Sequence, residues 1–401
     1  MSHVVVIGAG QAAASLVAKL RQDGFEGRIT LIGDEPAPPY QRPPLSKAYL
    51  LGEMEVERLY LRPESFYAEH DITLKLGVRV EEIDPDAKTL RAGGEVVAYD
   101  MLVLTTGSVP NRLPARIGGD LKGVYTVRTL ADVDAMAEEF SEGRRVLVIG
   151  GGYIGLEAAA VAAKKGLKVT LVEMADRILG RVAAPETSAY FRKLHADHGV
   201  DIREGCGLTA LGGTDRVTTA ELSDGTTLDV DFVIVGVGIR PDTALAEAAG
   251  LEIDNGIAVD AQGRTSDPSI WAAGDCASFP QSGARLRLES VGNAIDMGEL
   301  VAGNLMGEGR DYVAKPWFWS DQYDVKLQIA GLGTGYDTIV TRPSEGSTSF
   351  WYYRGDALIA VDAMNDPRAY MIGKRLIEAG KTADKALVAD PESDLKALLK
   401  A

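Results

Sequence analysis

Apolar residues in this chain fall into short unbroken runs separated by stretches of helical spacing. Val4-Val5-Val6-Ile7 reads as a strand over about 3–7, the Ala-rich stretch at about 11–22 as a helix, and Arg28-Ile29-Thr30-Leu31-Ile32 as a second strand. The rhythm returns from Arg144, with Val146-Leu147-Val148-Ile149, another Ala-rich helical stretch, and Lys168-Val169-Thr170-Leu171-Val172-Glu173. Three more apolar runs, at 99–107, 231–236 and 270–275, have the continuous hydrophobicity of parallel strands buried on both faces. Residues 290–305 read as helix. From about Pro316 the texture changes. Aromatic residues crowd together (Trp317, Phe318, Trp319, Tyr323, Phe350, Trp351, Tyr352, Tyr353), and short runs such as Leu358-Ile359-Ala360-Val361 replace the β-α rhythm. This texture predicts a separate α+β domain.

The junctions between strand and helix carry the first chemical signal. They read Gly8-Ala9-Gly10-Gln11-Ala12-Ala13 and Gly150-Gly151-Gly152-Tyr153-Ile154-Gly155. Glycine permits the sharp turn, bare backbone admits a pyrophosphate, and the helix behind points its N-terminal amides at the negative charge. One such loop is weak evidence. Two, each in strand–turn–helix context and each followed by a strand ending in acid, predict an α/β fold with two Rossmann-like dinucleotide-binding domains and the C-terminal α+β domain. After the first unit's second strand come Asp34 and Glu35, candidates for an adenosine ribose diol or solvated turn residues, with Asp34 the better placed. Glu173 ends the corresponding strand of the second unit. A carboxylate there accepts hydrogen bonds from both ribose hydroxyls and repels a 2′-phosphate, so NADH is expected over NADPH; Arg177 is either a complication or a solvated helix-side charge.

Composition narrows the setting. A chain of 401 residues, 46% hydrophobic and 25% charged, can build two or three domains. No apolar run approaches the roughly 20 residues that span a bilayer. Met1-Ser2-His3 leads straight into a strand with no basic region or cleavage site, so a cytoplasmic location is expected. A net charge of −16 argues against nucleic acid and against anionic membrane. From Lys315 onward, 11 Lys or Arg face 12 Asp or Glu, so the acidity belongs to the rest of the chain. Cys206 and Cys276 are the only cysteines, which excludes a Cys-x-x-Cys pair and a four-cysteine cluster. Four histidines without paired spacing give no metal signature, and no metal is expected. Redox chemistry here would use bound organic cofactors.

Two fingerprints, Thr106-Gly107, Gly274-Asp275 and an aromatic third domain resemble the glutathione-reductase-like flavoproteins. Pro43-Pro44-Leu45-Ser46-Lys47, Thr126-Val127-Arg128-Thr129 and Pro316-Trp317-Phe318-Trp319-Ser320-Asp321-Gln322-Tyr323 narrow the resemblance to the oxygenase-coupled NADH-dependent ferredoxin reductases, along the whole chain. That resemblance implies FAD on the first fingerprint and nicotinamide on the second. It divides the chain into a FAD domain at 1–110 and 237–315, interrupted by an NAD domain at 111–236, and a C-terminal domain at 316–401. It implies FAD contacts at Gly8, Gly10, Ala12, Asp34, Lys47, Val80, Thr106, Gly107, Arg128, Asp275 and Val291, and NADH contacts at Gly150, Gly152, Gly155 and Glu173. Asp275 would reach the ribityl chain, or else cap the helix that follows.

The chemistry implied is a hydride taken from NADH by FAD and single electrons passed to a 2Fe-2S ferredoxin that feeds a heme monooxygenase. The stretch from Pro36 to Tyr49, where disulfide reductases of this fold carry a Cys-x4-Cys pair, contains no cysteine, so electrons would leave the flavin directly. The resemblance puts Lys47 near flavin N5, facing Glu157 just beyond the second fingerprint; the alternative is two exposed helix-end charges. Tyr153 either covers the nicotinamide side of the flavin or is an ordinary packed tyrosine. Trp319 is expected at the flavin face and Trp317 in the domain core. Arg62, Lys326 and Lys374 are candidate docking cations for an acidic ferredoxin, while Glu299 stands where relatives can carry a basic residue. Competing readings are the reductase of a Rieske aromatic-ring dioxygenase, a rubredoxin reductase, an NADH oxidase and, in another class, an apoptosis-inducing-factor-like interaction protein.

Overall fold

The computed structural model describes residues 2–399. The chain forms two compact units. Among the described residues the first comprises 2–42, 55–109 and 239–316, and the second 43–54, 110–238 and 317–399. Segment 43–54 therefore packs with the second glycine fingerprint, in the same unit as the C-terminal domain.

The first unit is built on five parallel strands in the order Ile270–Ala272, Met101–Leu104, His3–Ile7, Arg28–Ile32, Ile72–Lys75. The central strand is flanked on both sides, with Val5 opposite Thr30 and Leu102, so all five of its residues are buried. The helix Gln11–Gln22 buries Leu16, Val17 and Leu20 at no exposure, and the helix Val291–Leu305 packs against it. Close approach there requires small residues: a Cβ on Gly298 would lie 2.6 Å from the Ala12 carbonyl oxygen.

The second unit repeats the plan, with parallel strands in the order Asp201–Glu204, Lys168–Glu173, Arg145–Ile149, Phe232–Val235, Val124–Tyr125. In each unit a three-stranded antiparallel meander precedes the return strand, at 80–98 in the first and 208–229 in the second. The C-terminal part is a five-stranded antiparallel sheet, ordered Trp317–Gln322, Val325–Gly331, Ala357–Met364, Ser347–Arg354, Thr338–Ser344. The amphipathic helix Pro367–Glu378 lies on that sheet, started by Asp366, whose carboxylate accepts the Ala369 amide. The expected α/β fold with a C-terminal α+β domain is the fold found.

Candidate functional site

In the first unit the Gly8 turn is fixed by sterics. Gly8 has φ +101, and a Cβ on it would lie 2.3 Å from the Thr105 carbonyl oxygen. The Thr105 hydroxyl ties the same turn, donating to the Ile7 and Gly8 carbonyls at 2.9 Å. Gly10, the N-cap of the helix Gln11–Gln22, differs: no side chain caps this helix, and a Cβ at Gly10 would meet nothing within 4 Å. First-turn amides left uncapped beside open space fit a phosphate. Around this turn other segments converge. Gly274, at φ +83, has its Cβ position 3.0 Å from the Ala12 Cβ and 3.8 Å from that of Ala294. Asp275 and the first turn of the helix beginning at Val291 are thereby brought beside the fingerprint helix. That helix has its own cap, since Ser290 Oγ accepts the Asn293 amide.

The two acids after Arg28–Ile32 are in different states. Glu35 is engaged, taking a hydrogen bond from Tyr40 OH at 2.6 Å and an ion pair with Arg42 at 2.7 Å. Asp34 is exposed, and its carboxylate has no partner among the described residues. Val80 is buried in the meander, and Thr106 Oγ1 donates to the Asp242 carbonyl at 2.6 Å ahead of Gly107 at φ +70. Arg62 is exposed over the Phe66 ring, 4.8 Å from its centroid, and Glu299 is exposed on the helix Val291–Leu305.

The second unit holds a matching cradle. Gly150 has φ +103 with its Cβ position 2.3 Å from the Gly236 carbonyl oxygen, and a Cβ on Gly155 would collide with the Gly150 carbonyl at 2.1 Å. Gly152, the uncapped N-cap of the helix Tyr153–Lys164, again faces open space. Glu173 is aimed by two amides, accepting Gly151 N–H at 2.7 Å and Ala175 N–H at 2.8 Å. Arg177 is occupied elsewhere: its guanidinium donates to the Gly180 and Ala183 carbonyls and to Ser188 Oγ. It clips a loop and offers no ready phosphate contact.

Lys47, half-buried, and Glu157, both in this unit, meet in an ion pair with Nζ–Oε2 2.7 Å. Glu157 is 2% exposed. Its carboxylate also accepts Ser46 Oγ and Ser320 Oγ, each at 2.7 Å, while Lys47 Nζ donates to the Pro43 carbonyl at 2.9 Å. Such a pair requires these additional hydrogen bonds to offset its desolvation. The two are therefore not exposed helix-end charges. Arg128, half-buried, precedes the helix Leu130–Ala137, which Thr129 and Asp132 open with a reciprocal capping box.

The strand Trp317–Gln322 presents alternate residues to opposite sides. Ser320 and Gln322 are buried toward the fingerprint helix, and the Phe318 ring lies 5.0 Å from Tyr153. The Tyr153 hydroxyl is buried with no hydrogen-bond partner among the described residues, and burial raises its pKa strongly. Trp317 and Trp319 share the other face, stacked at 5.5 Å and 20°, and line a pocket of ≈ 250 Å³ with Phe318, Lys326, Gln328 and Tyr370. Trp317, expected in the core, is thus half-exposed because its register parity is that of Trp319. Lys326 is exposed and makes no ion pair among the described residues, whereas Lys374 is paired with Glu378 at 3.0 Å. Both cysteines are buried, and burial raises the Cys276 thiol pKa, so neither is a surface relay. Among the described residues no cluster could hold a metal ion, and no helix is long and apolar enough to cross a membrane.

Sequence reasoning passed over Ser46, Ser320, Gln322 and His195. Only Ser320 and Gln322, two polar residues at alternate positions of the strand Trp317–Gln322, hinted at a polar face.

With this geometry the comparisons agree. The family model for pyridine nucleotide-disulphide oxidoreductases matches residues 2–298, and that for the reductase C-terminal domain residues 317–399. The chain belongs to the pyridine nucleotide-disulphide oxidoreductase family. It is 45% identical to a ferredoxin–NAD(P)(+) reductase of Sphingomonas sp over 98% of this chain and 96% of the relative, and 42% identical to rhodocoxin reductase of Rhodococcus erythropolis over 98% and 93%. The solved covalent putidaredoxin reductase–putidaredoxin complex matches with a TM-score of 0.96 at 40% identity, covering 100% of this chain and 98% of that one.

Proposed function

We propose that this protein is a cytoplasmic FAD-dependent NADH:ferredoxin oxidoreductase whose 2Fe-2S ferredoxin serves a heme monooxygenase. The observation that carries the reading is the duplicated glycine cradle in a chain whose two thiols are both buried. Two nucleotides can bind, and no dithiol intervenes between them. Bound FAD supplies the exchange between the electron pair of NADH and the single electrons an iron–sulfur centre accepts.

The residues divide the work. The amides behind Gly8 and Gly10 hold the FAD pyrophosphate, Asp34 accepts the adenosine ribose hydroxyls and Asp275 the ribityl hydroxyls, with Ala12, Val80, Thr106, Gly107, Arg128 and Val291 completing the binding surface. Gly150, Gly152 and Gly155 seat NADH, and Glu173 selects against a 2′-phosphate. Lys47 presents a cation, fixed by Glu157, where the cofactor gains negative charge. Tyr153 covers the nicotinamide position. With its hydroxyl unpartnered among the described residues, packing on Phe318 and no hydrogen bond holds the ring there, and an unmade hydrogen bond costs about 1–3 kcal/mol. Trp319 and its pocket face the electron exit.

The test is cofactor release and acceptor choice. Denaturation should free FAD from the polypeptide, and the native protein should reduce a 2Fe-2S ferredoxin with NADH far faster than it reduces oxygen. Flavin retained on the precipitated chain would refute non-covalent binding. Turnover that runs on oxygen alone would identify an oxidase.

A further inference from the structure

The Lys47–Glu157 pair is the inner end of a longer file of polar side chains, all in the second unit. Beyond Ser320, Gln322 Nε2 donates to Ser320 Oγ at 3.1 Å, His195 Nε2 lies 2.8 Å from Gln322 Oε1, and Tyr323 OH lies 3.1 Å from His195 Nδ1. Ser320, Gln322 and His195 have at most 1% exposure. With Gln322 Nε2 spent on Ser320, its Oε1 is an acceptor. His195 then carries its proton on Nε2, and Tyr323 donates to Nδ1. Every link donates toward Glu157, so the aligned dipoles reinforce one another at a carboxylate. Burial lowers the His195 pKa to about 4, which keeps the ring neutral and a dipole. An amide passes protons poorly, so the file orients and polarises; it does not conduct.

The outer end has a conformation that the backbone alone would not select. Tyr323 and Asp324 form a two-residue turn between Trp317–Gln322 and Val325–Gly331, and Tyr323 has φ +57. Glycine or asparagine is favoured there, and a bulky residue in that region is strained. Glycine would relieve the turn and end the file. The exposed His198 ring stacks on Tyr323 at 3.7 Å and 15°, holding the phenol over His195.

Resting on the reading that Lys47 serves the flavin, we propose that Tyr323 and His195 are positioning residues for the Lys47–Glu157 pair, acting through Gln322 and Ser320. Donation by Ser320 holds Glu157 Oε1 and disperses its charge, leaving Oε2 to Lys47 and Ser46. Without the file, Glu157 takes more of the Lys47 charge for itself, and the cation does less for the cofactor.

The experiment measures the midpoint potential of bound FAD by dye equilibration, alongside Tm. Tyr323→Phe should shift the equilibrium toward oxidised FAD about threefold and His195→Leu about tenfold, ~15 and ~30 mV lower for a two-electron couple. His195→Gln, which keeps an N–H donor, should recover most of the difference. In a Lys47→Met background neither substitution should shift the potential further. Lowered Tm with an unchanged potential in both variants would make the file structural only and overturn the proposal. If His195→Leu does not fold, Tyr323→Phe decides alone. An unchanged potential in Lys47→Met itself would overturn the underlying reading of Lys47, a failure distinguishable from that of the file.

Discussion

At the scale of single residues, nucleotide choice rests on one carboxylate. Glu173 is aimed by the amides of Gly151 and Ala175, and Arg177 is committed to Gly180, Ala183 and Ser188. The unmodified protein should prefer NADH over NADPH by about a hundredfold in kcat/KM, equivalent to ~2.7 kcal/mol. Replacing Glu173→Ala together with Met174→Arg should move that ratio at least tenfold toward NADPH, because Met174 is exposed beside the acid. Comparable efficiency with both nucleotides in the unmodified protein would remove Glu173 from this role.

Among the elements, glycines of one fingerprint have separable duties. Gly8 lies at φ +101 against the Thr105 carbonyl, so Gly8→Ala should destabilise the first unit by several kcal/mol, the range set by backbone strain and collision. Gly10 faces open space, so Gly10→Ala should lower stability by only about 1 kcal/mol, the order of an N-cap change, while obstructing the phosphate. Thermal unfolding of the apoprotein and FAD titration check the contrast. Equal loss of stability in both variants would contradict it. The strands and helices carrying these glycines were legible in sequence because strand and helix periods alternate there without ambiguity, and Val291–Leu305 was legible as an apolar helix. The meanders were not: Val80-Glu81-Glu82-Ile83-Asp84 is a short strand with mostly exposed residues and no sustained alternation. The support of Glu157 was equally hidden. Ser320 lies 163 positions from it, and Gln322 lies 127 from His195, distances that only the tertiary fold closes.

For the whole molecule, a net charge of −16 must be reconciled with a ferredoxin that is usually acidic. Association then depends on local cations. Lys326, exposed and without an ion pair among the described residues on the rim of the Trp317–Trp319 pocket, is the better candidate in its unit; Glu378 already pairs with Lys374. Arg62 is the exposed candidate of the other unit. Charge reversal at Lys326 or Arg62 should raise the KM for ferredoxin severalfold and flatten its salt dependence, with FAD reduction by NADH unaffected. Slower FAD reduction with unchanged ferredoxin saturation would show these residues serve the cofactor and not the dock.

Two nucleotide cradles without a thiol relay suit the division of one electron pair into single electrons for an iron–sulfur partner. The most direct measurement is anaerobic stoichiometry with the FAD-loaded protein in catalytic amount, limiting NADH and excess oxidised 2Fe-2S ferredoxin. About two ferredoxins should be reduced per NADH consumed, with the flavin oxidised again at the end. NADH consumed with FAD left reduced and ferredoxin still oxidised would contradict this division.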